Sequence, residues 1–159
     1  MKMKHLLLTL MALTVCLTVS AQKTDKVYEE AKALYEAKNY EAAVPKLKIA
    51  AEKGKKGAQY RLARCYDKGR GVAENNALAI KWYQKAAAQG YAKAQYQLGK
   101  AYMKGKKGLK TDQKKAKSLL TKALKDEKHG DKLLKKLRQD AKEGDEDAKA
   151  ILQLTGKKL

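Results

Sequence analysis

Ala58-Gln59-Tyr60-Arg61-Leu62 returns as Ala94-Gln95-Tyr96-Gln97-Leu98, a shift of 36 residues, and Tyr66 and Gly69 return as Tyr102 and Gly105 in the same register. Self-similarity at such a period commits a chain to a stack of like units, because each unit buries its apolar face only against its neighbours. The second half of the unit recurs as well. Ala79, Lys85 and Ala86 match Ala116, Lys122 and Ala123 at a shift of 37. The extra residue falls between Gly105 and Asp112, in a predicted loop, where added length costs little. The unit therefore reads as helix, glycine-rich loop, helix.

An earlier, degenerate copy covers Lys26 to Gly54, with Ala43, Ala50 and Gly54 aligned to Ala79, Ala86 and Gly90 at a shift of 36. Stacking the three copies produces columns of small residues: Ala31, Ala63 and Gly99; Ala43, Ala79 and Ala116; Ala50, Ala86 and Ala123. Small side chains let helix axes approach closely. Beside them run Leu34, Tyr66 and Tyr102 on the first helix and Leu47, Tyr83 and Leu120 on the second, with Trp82 and Leu119 adjacent, all expected in the core. Gly54, Gly90 and Gly144 each follow a helix and stand four residues before an alanine, where a left-handed C-terminal residue is expected. Asp131 to Leu154 predicts two more helices, with Leu133, Leu134, Leu137 and Ala141 on one face of the first. Whether they form a fourth repeat or a cap stays open at this level.

Two units resemble a known family nearly motif for motif. The first runs Ala58-Gln59-Tyr60-Arg61-Leu62-Ala63, then Tyr66-Asp67-Lys68-Gly69-Arg70-Gly71-Val72, then Ala79-Ile80-Lys81-Trp82-Tyr83-Gln84-Lys85-Ala86-Ala87-Ala88-Gln89-Gly90. This is similar to a Sel1-like repeat. The second copy, Ala94 to Ala123, departs from it in the loop, Gly105-Lys106-Lys107-Gly108-Leu109, and has Leu119-Leu120 for the Trp-Tyr pair. The first hairpin resembles the tetratricopeptide relatives. The resemblance implies an all-α fold, an α-solenoid of antiparallel helix pairs in a right-handed superhelix, whose concave groove binds proteins or peptides and which is rarely an enzyme. Cysteine-rich members linked to penicillin binding pin each repeat with a disulfide, whereas Cys65 stands alone here.

Met1 to Ala21 has the regions of a secretory signal: Lys2, Lys4 and His5, an apolar run from Leu6 to Val19, and the small residues Val19-Ser20-Ala21. The apolar run falls short of the roughly 20 residues that span a bilayer. The expected layout is a signal peptide over 1–21 and one repeat domain over 22–159, divided into a hairpin at 25–54, repeats at 57–90 and 93–127, and a terminal pair at 130–155. The mature chain is then periplasmic or secreted, with no transmembrane segment. Cys16 belongs to the signal, which leaves Cys65 without a disulfide partner.

Catalytic groups are scarce, since from Gln22 onward the chain holds one histidine (His129), one cysteine (Cys65) and one serine (Ser118). Triads and metal sites need several convergent groups. No catalytic, metal or cofactor residue is assigned. Cys65 reads as a small helical residue, and His129 as a cation at a helix end whose dipole it suits. Gly69-Arg70-Gly71 and Gly105-Lys106-Lys107-Gly108 lack the Walker spacing and read as turns. Asp145-Glu146-Asp147 offers clustered carboxylates for calcium, or, as preferred, the acidic start of a helix.

What remains is charge. From Gln22 the chain has 35 basic and 17 acidic residues, a formal charge of +18, which attracts anions and disfavours self-association, so a monomer is expected. In this repeat class the first helix of each pair lines the groove. The residue after the small column is Lys32, Arg64 and Lys100, and four residues on stand Glu36, Lys68 and Lys104. Lys32, Arg64, Lys68, Lys100 and Lys104 are therefore the candidate partner-binding residues, for a protein or peptide that is acidic. The alternative is an envelope-surface protein holding lipopolysaccharide, peptidoglycan or anionic lipid through general basicity. Nucleic acid is disfavoured by export and by the absence of a reading motif.

Overall fold

A computed structural model describes residues 21–159; the expected signal segment, apart from Ala21, lies outside the described residues. All regular structure in that range is α-helical. The first helix, α1, occupies residues 21–36. There follow α2 (Tyr40–Glu52), α3 (Lys56–Lys68), α4 (Asn76–Ala88), α5 (Ala92–Lys104), α6 (Gln113–Leu124), α7 (Gly130–Lys142) and α8 (Glu146–Thr155). Each helix from α2 to α6 packs on the next, and α6, α7 and α8 touch one another. Lys46 on α2 ties back to Glu30 on α1 at 2.8 Å. The chain is an all-α solenoid of helix pairs.

Two polar devices repeat along the stack. Inside each pair, the second helix starts on a side-chain cap: Asn39, Asn75, Asp112 and Asp145 accept from the backbone N–H of Ala42, Leu78, Lys115 and Ala148. Such caps satisfy donors that the helix cannot bond internally. Between pairs, a glycine turns the chain. Gly54 and Gly90 take positive φ, and Gln59 and Gln95 donate their side-chain amides to the carbonyls of Ala51 and Ala87 at 3.0 and 3.3 Å. Both glutamines are buried, and each bond gives the buried amide a partner and links the end of one helix to the start of the next.

The alanine columns are fully buried, as are Leu47, Tyr83 and Leu120. A Cβ at Gly99 would lie 2.6 Å from Leu120 Cγ, so the glycine admits the leucine where Ala31 and Ala63 stand in the other copies. The first-helix column differs from its expectation. Leu34, Tyr66 and Tyr102 are only half-buried, because they lie beside the loops and not between helix axes. A second cluster, Leu120, Leu124, Leu137, Ala141, Ala148, Ile151 and Leu152, closes the C-terminal end, with Leu133 and Leu134 packed at its edge. The leucine face of α7 is thus an internal contact.

His129 requires a correction. It is the N-cap residue of α7, the end at which a cation is disfavoured. The Asp126 carboxylate offsets this, standing 2.9 Å from the ring Nδ1 and accepting the His129 backbone N–H at 2.8 Å.

The loops within the two clear repeats diverge for a reason visible in the backbone. Gly71 has φ 66°, and a Cβ there would collide with the Tyr40 carbonyl group, so this loop lies directly on the start of α2. The equivalent residue in the next repeat is Lys107, also left-handed at φ 62°. Its side chain reaches back to Asp67. We expect Gly71→Ala to destabilise the chain by clearly more than Gly54→Ala. Gly54 has positive φ but open space around its Cα, so its substitution costs only the left-handed penalty of about 1–2 kcal/mol. Urea unfolding of both variants checks the order.

Candidate functional site

The C-terminal halves of α3 and α5 lie side by side, and with the loop after α5 they enclose a cleft of about 260 Å³. Arg64 and Lys68 reach it from α3, Lys100 and Lys104 from α5, and Lys106 and Lys107 from the loop. Four of the five sequence candidates therefore meet in one place. Lys32 is not among its lining residues; it pairs with Glu29 at 3.1 Å on its own helix. Glu36, the other stripe residue of α1, holds Arg61 at 3.1 Å.

Sequence reasoning missed two carboxylates in this cleft. Asp67 is buried near the C-terminal end of α3, where the helix dipole opposes an anion. Burial adds a desolvation cost, so the carboxylate needs partners. Lys107 seats its ammonium against one oxygen, and Tyr83 donates its hydroxyl to the other at 3.3 Å. Asp147 arrives from α8, contacting Lys104 and standing 3.7 Å from Lys100. Its hydrogen bond from Lys104 and the nearby charges of Lys104, Lys100 and Lys106 hold the carboxyl below the usual aspartate value. Arg64, Lys68 and Lys106 make no ion pair among the described residues.

The acidic run that suggested calcium disperses. Asp145 caps α8, Glu146 pairs with Lys149 at 2.7 Å, and Asp147 turns to the lysines. Cys65 is fully buried, and burial pushes its thiol up to about 11 against the pull of Arg70 and Arg64. At neutral pH it is a protonated thiol packed in the core.

A second cleft, of about 200 Å³, adjoins the first, with Gln97 lining both. Its walls are Tyr60, Ala92, Tyr96 and Leu133, rimmed by Lys93, Lys132 and Lys136. Tyr60 stacks at an angle on Tyr91 with ring centroids 5.2 Å apart. Each tyrosine stands one turn before a cation on its helix. Arg64 lies 6.0 Å from the Tyr60 ring centroid and Lys100 5.7 Å from that of Tyr96. The same spacing is present in Tyr28 and Lys32, so a tyrosine ladder parallel to the basic stripe was readable from the alignment.

Asp147 bridges the terminal pair to α5, and its depressed pKa fixes the sign of the linkage. Its contribution is present above the ordinary aspartate value of 3.8 and lost as pH falls through the lower folded value. Asp147→Asn should lower the melting temperature slightly at neutral pH, with the difference from the parent chain disappearing at acid pH below 3.8. Thermal melts by circular dichroism at the two pH values measure it.

Comparison with protein families matches the Sel1 repeat over residues 57–91 and 92–126. Among curated proteins no match is found. Among solved structures the chain is similar to a Sel1 repeat protein from Oxalobacter formigenes, with 29% identity and a TM-score of 0.60, covering 89% of this chain and 96% of that one. It is also similar to a protective antigen present in uropathogenic Escherichia coli strains and displaying an SLR fold, with 26% identity and a TM-score of 0.63, covering 87% of this chain and 30% of that one. The tandem match, the helix pairs and these likenesses agree: the chain carries two Sel1 repeats in tandem within an all-α fold similar to that of Sel1 repeat proteins.

Proposed function

We propose that this chain is an exported binding scaffold whose groove along α3 and α5 takes an acidic segment of a partner protein. Sel1 repeats typically serve as scaffolds for protein–protein interaction. The observation that carries the finer reading is the cleft itself: Arg64, Lys68, Lys100 and Lys104 converge there, and the carboxylate of Asp147 already occupies part of it. A site that holds one carboxylate between two lysines, and keeps Arg64 and Lys68 without acidic partners, suits a ligand bearing further carboxylates. Export is supported by the basic, apolar and small-residue succession of Met1 to Ala21.

Binding of fluorescent acidic peptides to the chain from Gln22 to Leu159, read by anisotropy at physiological salt, tests this. Arg64→Glu/Lys100→Glu should weaken binding by at least about tenfold, which corresponds to about 1.4 kcal/mol, with helicity unchanged. Asp147→Asn should instead tighten it, because Lys100 and Lys104 are released. Equal affinity of the parent and the charge-reversed chain would remove the groove from the reading. Binding seen only at low salt, in both chains, would favour an anionic envelope polymer held by general charge.

A further inference from the structure

The acidic-segment reading leaves the tyrosine-lined cleft unexplained, although it opens beside the cationic one. We propose that the two clefts together recognise one short extended segment, with an apolar side chain seated against Tyr60, Tyr96 and Leu133 and a carboxylate farther along on Arg64 and Lys68. This inference rests on the groove reading above and specifies its ligand.

Three observations support the pairing. The clefts share Gln97 as a common wall, so they adjoin on one face of the chain. Their chemistry is complementary and divided. The tyrosine cleft is walled by two tyrosines, an alanine and a leucine, with His129 also on its lining, while the cationic cleft draws six basic side chains from α3, α5 and the following loop. The Tyr96 hydroxyl stays neutral, since burial and the nearby Asp140, Asp145 and Asp147 push it up to about 12. Tyr96 therefore adds no negative charge to the apolar cleft, whose charged groups are the lysines at its rim.

Spacing follows from helix geometry. Tyr60 to Arg64 is one turn and Arg64 to Lys68 another, so the cations stand roughly 6 and 12 Å along the axis from the tyrosine, at about 1.5 Å per residue. An extended peptide advances about 3.3 Å per residue. The apolar residue and the acid are then separated by roughly two to four positions in the ligand, with the axial rise and this advance setting the range. The rim lysines of the apolar cleft, Lys93, Lys132 and Lys136, suit additional acids flanking the apolar residue. Asp147 shows that the cationic cleft already accepts a carboxylate, on Lys100 and Lys104, beside the cations proposed for the ligand.

The test is a set of labelled synthetic peptides, each with one leucine and one pair of aspartates in a serine and glycine background. The distance between leucine and aspartates varies from adjacent to far apart, and control peptides lack one or the other. The expected result is tightest binding at the intermediate spacing, weakened roughly tenfold by either deletion. Tyr96→Ala and, as a second variant at the cleft edge, Leu133→Gln should abolish the spacing preference and leave the salt-sensitive binding of the aspartate-only peptide. Melting curves identify a variant that has lost its fold. Affinity that follows aspartate content regardless of spacing, still lost in Arg64→Glu/Lys100→Glu, overturns the bipartite ligand and leaves the acidic groove standing. Absence of binding by every peptide overturns both.

Discussion

One hydrogen bond holds the repeats in register. At the first two joints between pairs, a buried glutamine on the incoming helix donates to a carbonyl at the end of the outgoing one, Gln59 to Ala51 and Gln95 to Ala87. The backbone N–H groups of Gly54 and Gly90 already bond the same two carbonyls, so the need met is that of the buried glutamine amide, which would be expensive to leave unpaired. It reaches the carbonyl only if the glycine turn delivers the next helix at the right height. Gly54 with Gln59, and Gly90 with Gln95, therefore each act as one joint. Gln89 extends the first of these by donating to Gln59 at 2.8 Å.

The turn into α8, inside the last pair, resembles this joint without completing it. Gly144 again has positive φ and Ala148 is again buried, but the residue after Ala148 is Lys149, whose ammonium turns outward to Glu146. With no glutamine to reach back, α8 is set instead by apolar contact with α6 and α7. Ile151 and Leu152 lie against Leu120 and Leu137 in the closing cluster. That departure brings Asp147 over the side of α5, and so puts an acid into a cleft otherwise built from bases.

What the sequence made legible follows from this division. Alanine columns, turn glycines and helix caps obey short-range rules that repeat at 36 or 37 residues, and alignment of the copies exposes them. The convergence of Arg64, Lys68, Lys100 and Lys104 was accessible in the same way, because equivalent positions on stacked helices must lie side by side. Asp147 was not, since its approach depends on the packing of two helices that break the repeat. Nor was the Lys107 contact with Asp67, which arises because a lysine occupies the left-handed position that Gly71 holds one repeat earlier. His129 was misplaced because its neighbouring glycine reads equally well as the end of one helix or the beginning of another. Cys65, read as a small helical residue beside Arg64, does lie on α3 and is fully buried there, and a neighbouring cation makes a thiol reactive only where the thiol is accessible.

The glycine and glutamine joint also bears on how such a chain can change over time. Because it uses residues within a few positions of one boundary, copying the stretch from one joint to the next duplicates a complete set of contacts at both ends. The neighbouring modules meet the same surface they met before. Length is thus an adjustable property of this architecture, and each inserted module would add one tyrosine and two cations to the same face, as Tyr60, Arg64 and Lys68 do in one repeat and Tyr96, Lys100 and Lys104 in the next.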